Sequence, residues 1–481
     1  MPESPAYALG FRSVEEEHAG TSLPVEGALP DWLEGSLYRN GPGRFETAAG
    51  PVNHWFDGLA MLRRFRIDGP QDRITYTNRF LRTDAYRDAE TGKSGAGQFG
   101  TAPGDGLLKR VRRQLLPEQT DNANVNVVEV ADELVAVTET TAMTAVDRRT
   151  LGTRGQFSFE DEVPGQWQSA HPVRDPNRGE TVNLLVDFGR SSSYELVSRR
   201  DGARRRERLA SVPVEEPAYT HSFALTEQYV VLTEPPFVVD PLDLLLPHRG
   251  GDAFVDNYRW EPARGTRIRL FDRDTGDATA TYRTPAMFVF HHVNAVERGE
   301  EIVVDLVGFP DDNAVDALYL DALREGTAPP RGTLWRLRLP LDGGTPRREA
   351  IASGMTLPRT NEQYLTRDHQ YTWAQGQGDP EQFADRIVKA EPGGGITATW
   401  RRPGSFCGEP VVVDRPGGES PDDGAVLVVS LDPDAEECLL AVLDAATLEA
   451  HAVARLPHIV PFDFHGQFLP APADRRGVPP R

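Results

Sequence analysis

Residues 125–138, with the sequence VNVVEVADELVAVT, decide the fold class. They hold two short runs of mostly β-branched and apolar residues, 125–130 and 134–138, and an Asp lies between the runs. Runs of this length and composition, bounded by turn-favouring residues, are typical of β-strands. The stretch therefore predicts two strands.

The same pattern recurs along the chain and predicts strands at 74–76, 182–186, 229–233, 266–271, 301–307, 333–337, 411–413 and 425–430. Long amphipathic helices are scarce, and the best candidates are 107–116 and 315–324. Many short strands without a long polar linker indicate a single all-β body, either a propeller, a large sandwich or a β-solenoid. No repeat of about 40 to 50 residues stands out to choose among them.

Composition excludes several classes of protein. Among 481 residues, 73 are acidic and 52 are basic, and a net charge of −21 argues against a general nucleic-acid binder. No apolar stretch reaches the roughly 18 residues that a transmembrane helix needs. Only two cysteines are present and no secretory signal is visible, so we expect a cytoplasmic protein. We expect one domain over 1–481, with a poorly ordered Pro-rich tail at 470–481.

Four of the 11 histidines lie among apolar or aromatic neighbours, namely His171, His221, His291 and His465. Their separations of 50, 70 and 174 residues exclude a local metal motif, which needs ligands a few residues apart. A radial β architecture can bring them together, and four neutral imidazoles suit Fe, Zn, Cu or Ni. Taken alone, each ring is better explained as an ordinary core or turn histidine, and only the four together favour a metal site.

Two carboxylates in apolar surroundings, Glu139 and Glu409, are candidates to orient such rings. A metal-bound imidazole generally needs an acceptor on its other ring nitrogen. The alternative is a capped turn, or a salt bridge to one of the many arginines.

A series of motifs resembles the carotenoid cleavage oxygenase family. The first are WLEGSLYRNGPG at 32–43 and HWFDGLAML at 54–62. In the family's order there follow TDN at 120–122, NVN at 124–126, ET at 139–140, AHP at 170–172, HSF at 221–223, FHHVN at 290–294, GEP at 408–410 and FHG at 464–466. The resemblance extends from about residue 9 to residue 469.

The resemblance implies a seven-bladed β-propeller with short helical insertions covering one face, and a non-haem Fe(II) on its axis. The implied ligands are the four histidines at 171, 221, 291 and 465. Glu139 and Glu409 match two of the three glutamates with which the family orients its imidazoles. Thr356 stands where the third is expected, and because it carries no charge, its ring would be held less firmly.

The remaining histidines are predicted to lie outside the metal site. His54 and the pair Asp57-Gly58 belong to the family's signature, and we interpret His54 as a structural hydrogen-bonding residue and the pair as a turn. We predict surface or turn positions for His18, His248, His369, His451 and His458.

The implied activity is oxidative cleavage, with O2 as co-substrate, of a C=C bond in a carotenoid or apocarotenoid to give aldehydes. The segments at 82–86 and 54–62 resemble the retinal-forming branch of the family more than its stilbene-cleaving branch, and this resemblance favours β-carotene cleaved to retinal. Alternatives are cleavage of a phenolic stilbene and a noncatalytic propeller that binds a partner. The substrate would be a hydrophobic polyene, and Phe288, Phe290 and Phe464 are candidates to line its tunnel.

Residues 107–116, LLKRVRRQLL, combine basic residues with the aliphatic side chains of Leu107, Leu108, Val111, Leu115 and Leu116. This composition is typical of an interfacial amphipathic element, which predicts a peripheral membrane contact. An ordinary short helix with a solvated basic face is the alternative.

Overall fold

The computed structural model describes residues 4–93, 99–102, 120–245 and 253–471. Within these residues the chain forms seven antiparallel sheets of four to six strands, together with two short two-stranded ribbons. The sheets follow one another along the chain, and the innermost strands of most neighbouring sheets contact one another. The predicted all-β class and the seven-bladed propeller are confirmed.

Blades 1 to 4 lie between residues 19 and 284, and the last strand of the chain completes blade 1. Blade 1 contains β1 (Ala19–Leu23), β3 (Glu34–Arg44), β6 (Leu59–Asp68), β7 (Arg73–Phe80) and β36 (His465–Pro470). Blade 2 contains β8 (Asn126–Val130), β9 (Glu133–Val137), β10 (Met143–Val146) and β11 (Thr153–Phe157). Blade 3 contains β12 (Trp167–Gln168), β13 (Val173–Asp175), β14 (Glu180–Asp187), β15 (Ser192–Arg200) and β16 (Glu207–Val214). Blade 4 contains β17 (Ala224–Leu225), β18 (Tyr229–Glu234), β21 (Thr266–Asp272) and β22 (Ala278–Thr284).

Blade 5 contains β23 (Phe288–Arg298), β24 (Glu301–Phe309), β25 (Thr333–Pro340) and β26 (Arg347–Ser353). Blade 6 contains β27 (Met355–Arg359), β28 (Thr372–Gly376), β29 (Arg386–Glu391) and β30 (Gly395–Trp400). Blade 7 contains β2 (Val25–Gly27), β31 (Phe406–Cys407), β32 (Val411–Asp414), β33 (Gly424–Asp432), β34 (Glu437–Asp444) and β35 (Ala450–Arg455). The ribbons are β4 (Glu46–Thr47) with β5 (Gly50–Pro51) and β19 (Phe237–Val239) with β20 (Tyr258–Trp260).

Both ends of the chain close the ring. The early strand β2 pairs with β35 of blade 7, and the last strand β36 pairs with β3 of blade 1. Pro470 lies opposite Gly35 in that last pair, and the amide of Ala471 donates to the carbonyl of Glu34. The prediction of a disordered tail from residue 470 is therefore wrong for its first two residues, because the sheet pairs them. Residues 472–481 lie outside the described part.

The described α-helices are short: α1 (Asp84–Thr91), α2 (Pro241–Leu245), α3 (Asn313–Asp316) and α4 (Leu320–Glu325). Six 3-10 turns accompany them at Ala6–Phe11, Trp55–Asp57, Gly69–Gln71, Val255–Asn257, Pro262–Arg264 and Glu362–Tyr364. No helix in the described ranges is long and apolar enough to cross a bilayer.

The single helix predicted at 315–324 is instead two short helices, α3 and α4. The carbonyl of Leu318 accepts a hydrogen bond from the amide of Trp55, and the amide of Leu320 donates to the carbonyl of Asn53. These bonds tie the backbone between the helices to another segment, so it does not continue the helical ladder. The other predicted helix, 107–116, lies outside the described residues.

Candidate metal centre

The four histidines lie in, or next to, the innermost strands of four different blades. His171 lies between β12 and β13 of blade 3, and His221 lies shortly before β17 of blade 4. His291 belongs to β23 of blade 5, and His465 is the first residue of β36 in blade 1. The propeller thus unites residues that are as much as 294 positions apart in the sequence.

The rings converge on one point. One nitrogen of each ring lies within 4.8 Å of the corresponding nitrogen of every other ring. The Nε2 atoms of His171 and His221 are 2.9 Å apart, and those of His291 and His465 are 3.2 Å apart. The expected meeting of the four residues is therefore present in the structure.

Glu139 orients His221. Its Oε1 accepts a hydrogen bond from Nδ1 of His221 at 2.6 Å, and the hydroxyl of Tyr219 donates to the same carboxylate at 2.8 Å. Burial beside Glu139 raises the pKa of the Tyr219 hydroxyl well above its ordinary value, so that hydroxyl remains a donor. With the proton on Nδ1, the Nε2 lone pair of His221 points toward the other rings.

Glu409 orients His465 in a more strongly charged environment. Its Oε1 accepts from Nδ1 of His465 at 2.8 Å and from Nε of Arg359 at 2.9 Å. Its Oε2 accepts from Arg39 at 2.6 Å. Burial alone would raise the pKa of the Glu409 carboxyl, but Arg359, His465 and Arg39 reverse this effect and hold it well below its usual range. Glu409 is therefore a fixed negative charge.

In the described part of the chain, no carboxylate forms a hydrogen bond with His171 or His291. Burial lowers the pKa of His171 and His291 well below the ordinary value, and the neighbouring rings and Arg359 lower it further. Both rings are thus held in the neutral form that binds metals. Thr356 is half-buried on β27, and no hydrogen bond joins it to any of the four rings within the described residues. Its predicted part in orienting a ring stays a prediction.

The donor set fits a divalent transition metal. His221 and His465 each donate the Nδ1 proton to a carboxylate, which leaves their Nε2 lone pairs facing the other two rings at hydrogen-bonding distance. A cation among the four rings would bind these lone pairs. Imidazole nitrogens suit iron, zinc, copper and nickel. Because the four ligands are neutral, they do not reduce the positive charge of the metal ion.

An apolar cavity of about 690 Å³ adjoins this cluster. Its wall includes His221, His291 and His465, together with the aromatic rings of Trp55, Phe56, Phe290, Phe309, Phe383 and Phe464. Of the three phenylalanines predicted to line a tunnel, Phe290 and Phe464 do so. Phe288 is not part of the wall: it is fully buried and stacks on Tyr219, with ring centroids 6.1 Å apart.

His54 has the structural role that we predicted. It is fully buried, and its Nδ1 accepts from the amide of Phe56 at 3.1 Å, while Nε2 lies 3.2 Å from the carbonyl of Val315. Asp57 does more than form a turn, because its carboxylate accepts from the amides of Phe99 and Gly100 and holds that segment against the cavity.

The surface or turn position predicted for His369 is wrong. It is buried, with Nε2 3.0 Å from the Asp305 carboxylate. His248 lies outside the described residues.

Sequence reasoning missed three residues of the centre: Arg39, Tyr219 and Arg359. Tyr219 precedes His221 by two positions, and Arg39 lies inside the RNGPG motif, so proximity to a motif was the available signal. Arg359 follows Thr356 by three positions, but the sequence does not show that its side chain reaches Glu409.

Comparisons with known proteins agree with this geometry. A family model described as "RPE65: Retinal pigment epithelial membrane protein" matches residues 11–470. The chain is 33% identical to "Carotenoid cleavage dioxygenase 8 homolog A, chloroplastic" of Oryza sativa, over 95% of this chain and 87% of the relative. It is 28% identical to "Beta,beta-carotene 15,15'-dioxygenase" of Gallus gallus, over 95% of this chain and 97% of the relative.

A solved structure of the Synechocystis apocarotenoid oxygenase, substituted with cobalt, superimposes with a TM-score of 0.85 at 26% identity, covering 97% of this chain and 98% of that one. The match thus includes all seven blades. The chain therefore belongs to the retinal pigment epithelial membrane protein (RPE65) family, the family of carotenoid cleavage oxygenases that its sequence motifs predicted.

Proposed function

We propose that this oxygenase binds Fe(II) at His171, His221, His291 and His465 and uses O2 to cleave a C=C bond of a carotenoid or apocarotenoid. The favoured reaction is the conversion of β-carotene to retinal. The observation that carries the proposal is the convergence of four imidazoles, three of which line an apolar cavity.

The ligand set suits this chemistry. The four histidines would hold the iron, which when bound would supply the activation of O2. The overall reaction balances without an external acid or base, because one C=C bond and one O2 give two C=O groups. The chain's own contribution is to hold the rings, position the polyene and keep water away.

The cavity supports a long apolar substrate. Its volume of about 690 Å³ lies within the range of small-molecule sites, and aromatic side chains dominate the wall near the histidines. The wall beside Phe290 and Phe464 offers apolar contact to such a substrate. The similarity of residues 54–62 and 82–86 to the retinal-forming branch, together with a relative named for β-carotene cleavage, favours β-carotene among the possible polyenes.

Product analysis tests the proposal. Fe(II)-loaded protein would be incubated aerobically with β-carotene in detergent, with a phenolic stilbene in a parallel reaction, and both would be analysed by mass spectrometry. Retinal is the expected product. If aromatic aldehydes formed from the stilbene and no product formed from β-carotene, the protein would be a stilbene-cleaving oxygenase. Absence of iron binding would support the noncatalytic propeller instead.

We extend the proposal to a cytoplasmic protein that associates with membranes from the surface. This extension rests on the basic and aliphatic composition of residues 107–116, and on the fact that a polyene substrate dissolves in the bilayer, from which the protein would have to take it. Flotation of the protein with anionic vesicles tests it. A protein that stays unbound at low ionic strength would contradict the membrane contact.

A further inference from the structure

Arg359 connects three blades beside the proposed iron. It is the last residue of β27 in blade 6, and its Nε lies 2.9 Å from Oε1 of Glu409 in blade 7. Its Nη2 atom donates to the carbonyl of Gly466, the residue after His465 in blade 1. One guanidinium therefore holds both the carboxylate that orients His465 and the backbone that carries it.

A distortion of β27 accompanies this contact. Thr356 pairs with Gln375, but Arg359 pairs with Trp373, so one extra residue stands between the two pairs. Leu357 within this bulge has φ of 47°, in the left-handed region that residues other than glycine rarely adopt. A bulge redirects the side chains that follow it, and strained backbone of this kind marks positions held by their surroundings.

The charges on the two sides of the histidine cluster differ. Around Glu409, the guanidiniums of Arg39, Arg359 and Arg63 face the buried carboxylates of Glu409 and Asp463. The more exposed carboxylate of Glu362 also lies 3.7 Å from Arg359, so three positive charges meet three negative ones. On the other side, Glu139 is held by Tyr219 and His221, and no Arg or Lys pairs with it in the described part of the chain.

The contacts separate two roles for the carboxylates. Nδ1 of His465 shares Oε1 of Glu409 with Arg359, so much of that oxygen's negative charge is already compensated. Glu409 then fixes the ring's orientation while adding little electron density to it. Glu139 lacks that compensation and polarises His221 more strongly.

We infer that Arg359 is a positioning residue of the metal centre, whose guanidinium fixes His465 through Glu409 and Gly466 and whose positive charge favours Fe(II) over Fe(III). The inference rests on the proposed function, since it needs iron at the four rings. The physical reason is that Fe(III) carries one more positive charge than Fe(II). A nearby fixed cation in a buried, weakly screened site therefore destabilises the ferric form more.

Two substitutions separate the charge from the geometry. Arg359→Gln removes the positive charge and retains a short hydrogen-bonding side chain, whereas Arg359→Lys keeps the charge but cannot reproduce the planar fork that spans Glu409 and Gly466. The matched control is Arg386→Gln in the same blade. Arg386 is similarly half-buried and binds Asp385 through two nitrogens at 2.8 and 3.0 Å, and Asp385 contacts none of the four rings.

The experiment is a redox titration of the iron-loaded full chain, with high-spin Fe(III) quantified by electron paramagnetic resonance at each poised potential. At the wild-type midpoint, Arg359→Gln should raise the Fe(III)/Fe(II) ratio about tenfold, a shift of about 59 mV for a one-electron couple. At the same potential, the Fe(III)/Fe(II) ratio of Arg359→Lys should stay within about threefold of the wild-type ratio, and that of Arg386→Gln should equal it. A titration with Co(II) should show weaker binding for Arg359→Lys, because the fork is lost.

The inference would be overturned if the iron of Arg359→Gln had the same midpoint potential as the iron of the wild type. Equal shifts of the midpoint potential in Arg359→Gln and Arg359→Lys would also overturn it, because the effect would then come from structure and not from charge. The proposed function has a separate failure: a wild-type chain that binds neither Fe(II) nor Co(II) would refute both proposals together. Circular dichroism of each variant checks that it is folded.

Discussion

Replacing Glu139 with glutamine tests the geometry of the centre most directly. The carboxylate accepts from Nδ1 of His221 at 2.6 Å and from the hydroxyl of Tyr219 at 2.8 Å, and it is buried. Glutamine has nearly the same volume, so it leaves no cavity. It removes the negative charge, so the charged hydrogen bond from His221 is lost and at most a neutral one replaces it, while the NH2 group of glutamine cannot accept from Tyr219.

The expected effect follows from the lost hydrogen bond. A hydrogen bond to a charged group contributes about 1.5 to 3 kcal/mol, and each 1.4 kcal/mol corresponds to about a tenfold change in affinity. Loss of orientation at one of four ligands should therefore weaken metal binding about 10- to 100-fold, in the range typical of partners of metal-bound histidines. The fold should persist, because the propeller's apolar packing is unchanged.

The assay is a competition titration of Co(II) against a chelator, for the wild type, Glu139→Gln and Tyr219→Phe. Tyr219→Phe is the control, because it removes the neutral donor and leaves the bond between Glu139 and His221. We expect a loss below about fivefold for this variant, since it keeps the charged hydrogen bond between Glu139 and the metal-binding ring of His221. Glu139→Gln with wild-type affinity would refute the assigned role of the carboxylate.

Three further predictions concern other residues of the centre and its support. His221→Ala should abolish turnover and reduce bound iron, measured by product formation and metal analysis on folded protein; full activity would refute the ligand assignment. Thr356→Glu should preserve or raise Fe(II) affinity, and a folded variant that binds iron much more weakly would contradict the idea that a carboxylate is missing beside a ring. Burial lowers the pKa of His54 to about 4, below the ordinary value of 6.5, so the unfolded state binds this proton more readily. The free energy of unfolding should therefore fall as the pH decreases from 6.5 to 4. Urea unfolding at pH 7 and pH 5 should show a smaller loss of unfolding free energy for His54→Asn than for the wild type. An equal loss in both proteins would argue against this contribution.

The local pattern of the chain predicted its elements well. All ten runs identified as strands, among them 125–130 and 425–430, overlap observed strands, because a short β-branched run bounded by turn residues has few other ways to bury its side chains. The helix predicted at 315–324 failed for a reason that lies elsewhere in the chain, namely the hydrogen bonds from residues 53 and 55 to its backbone.

For the metal centre, the sequence alone identified the residue types and, through its motifs, the four histidines and two glutamates. It could not place them in space, because ligands from blades 1, 3, 4 and 5 meet only after the ring closes through β2 and β36. The electrostatic difference between Glu139 and Glu409 was likewise invisible. It arises because Arg39 of blade 1 and Arg359 of blade 6, 320 positions apart in the sequence, reach the same carboxylate.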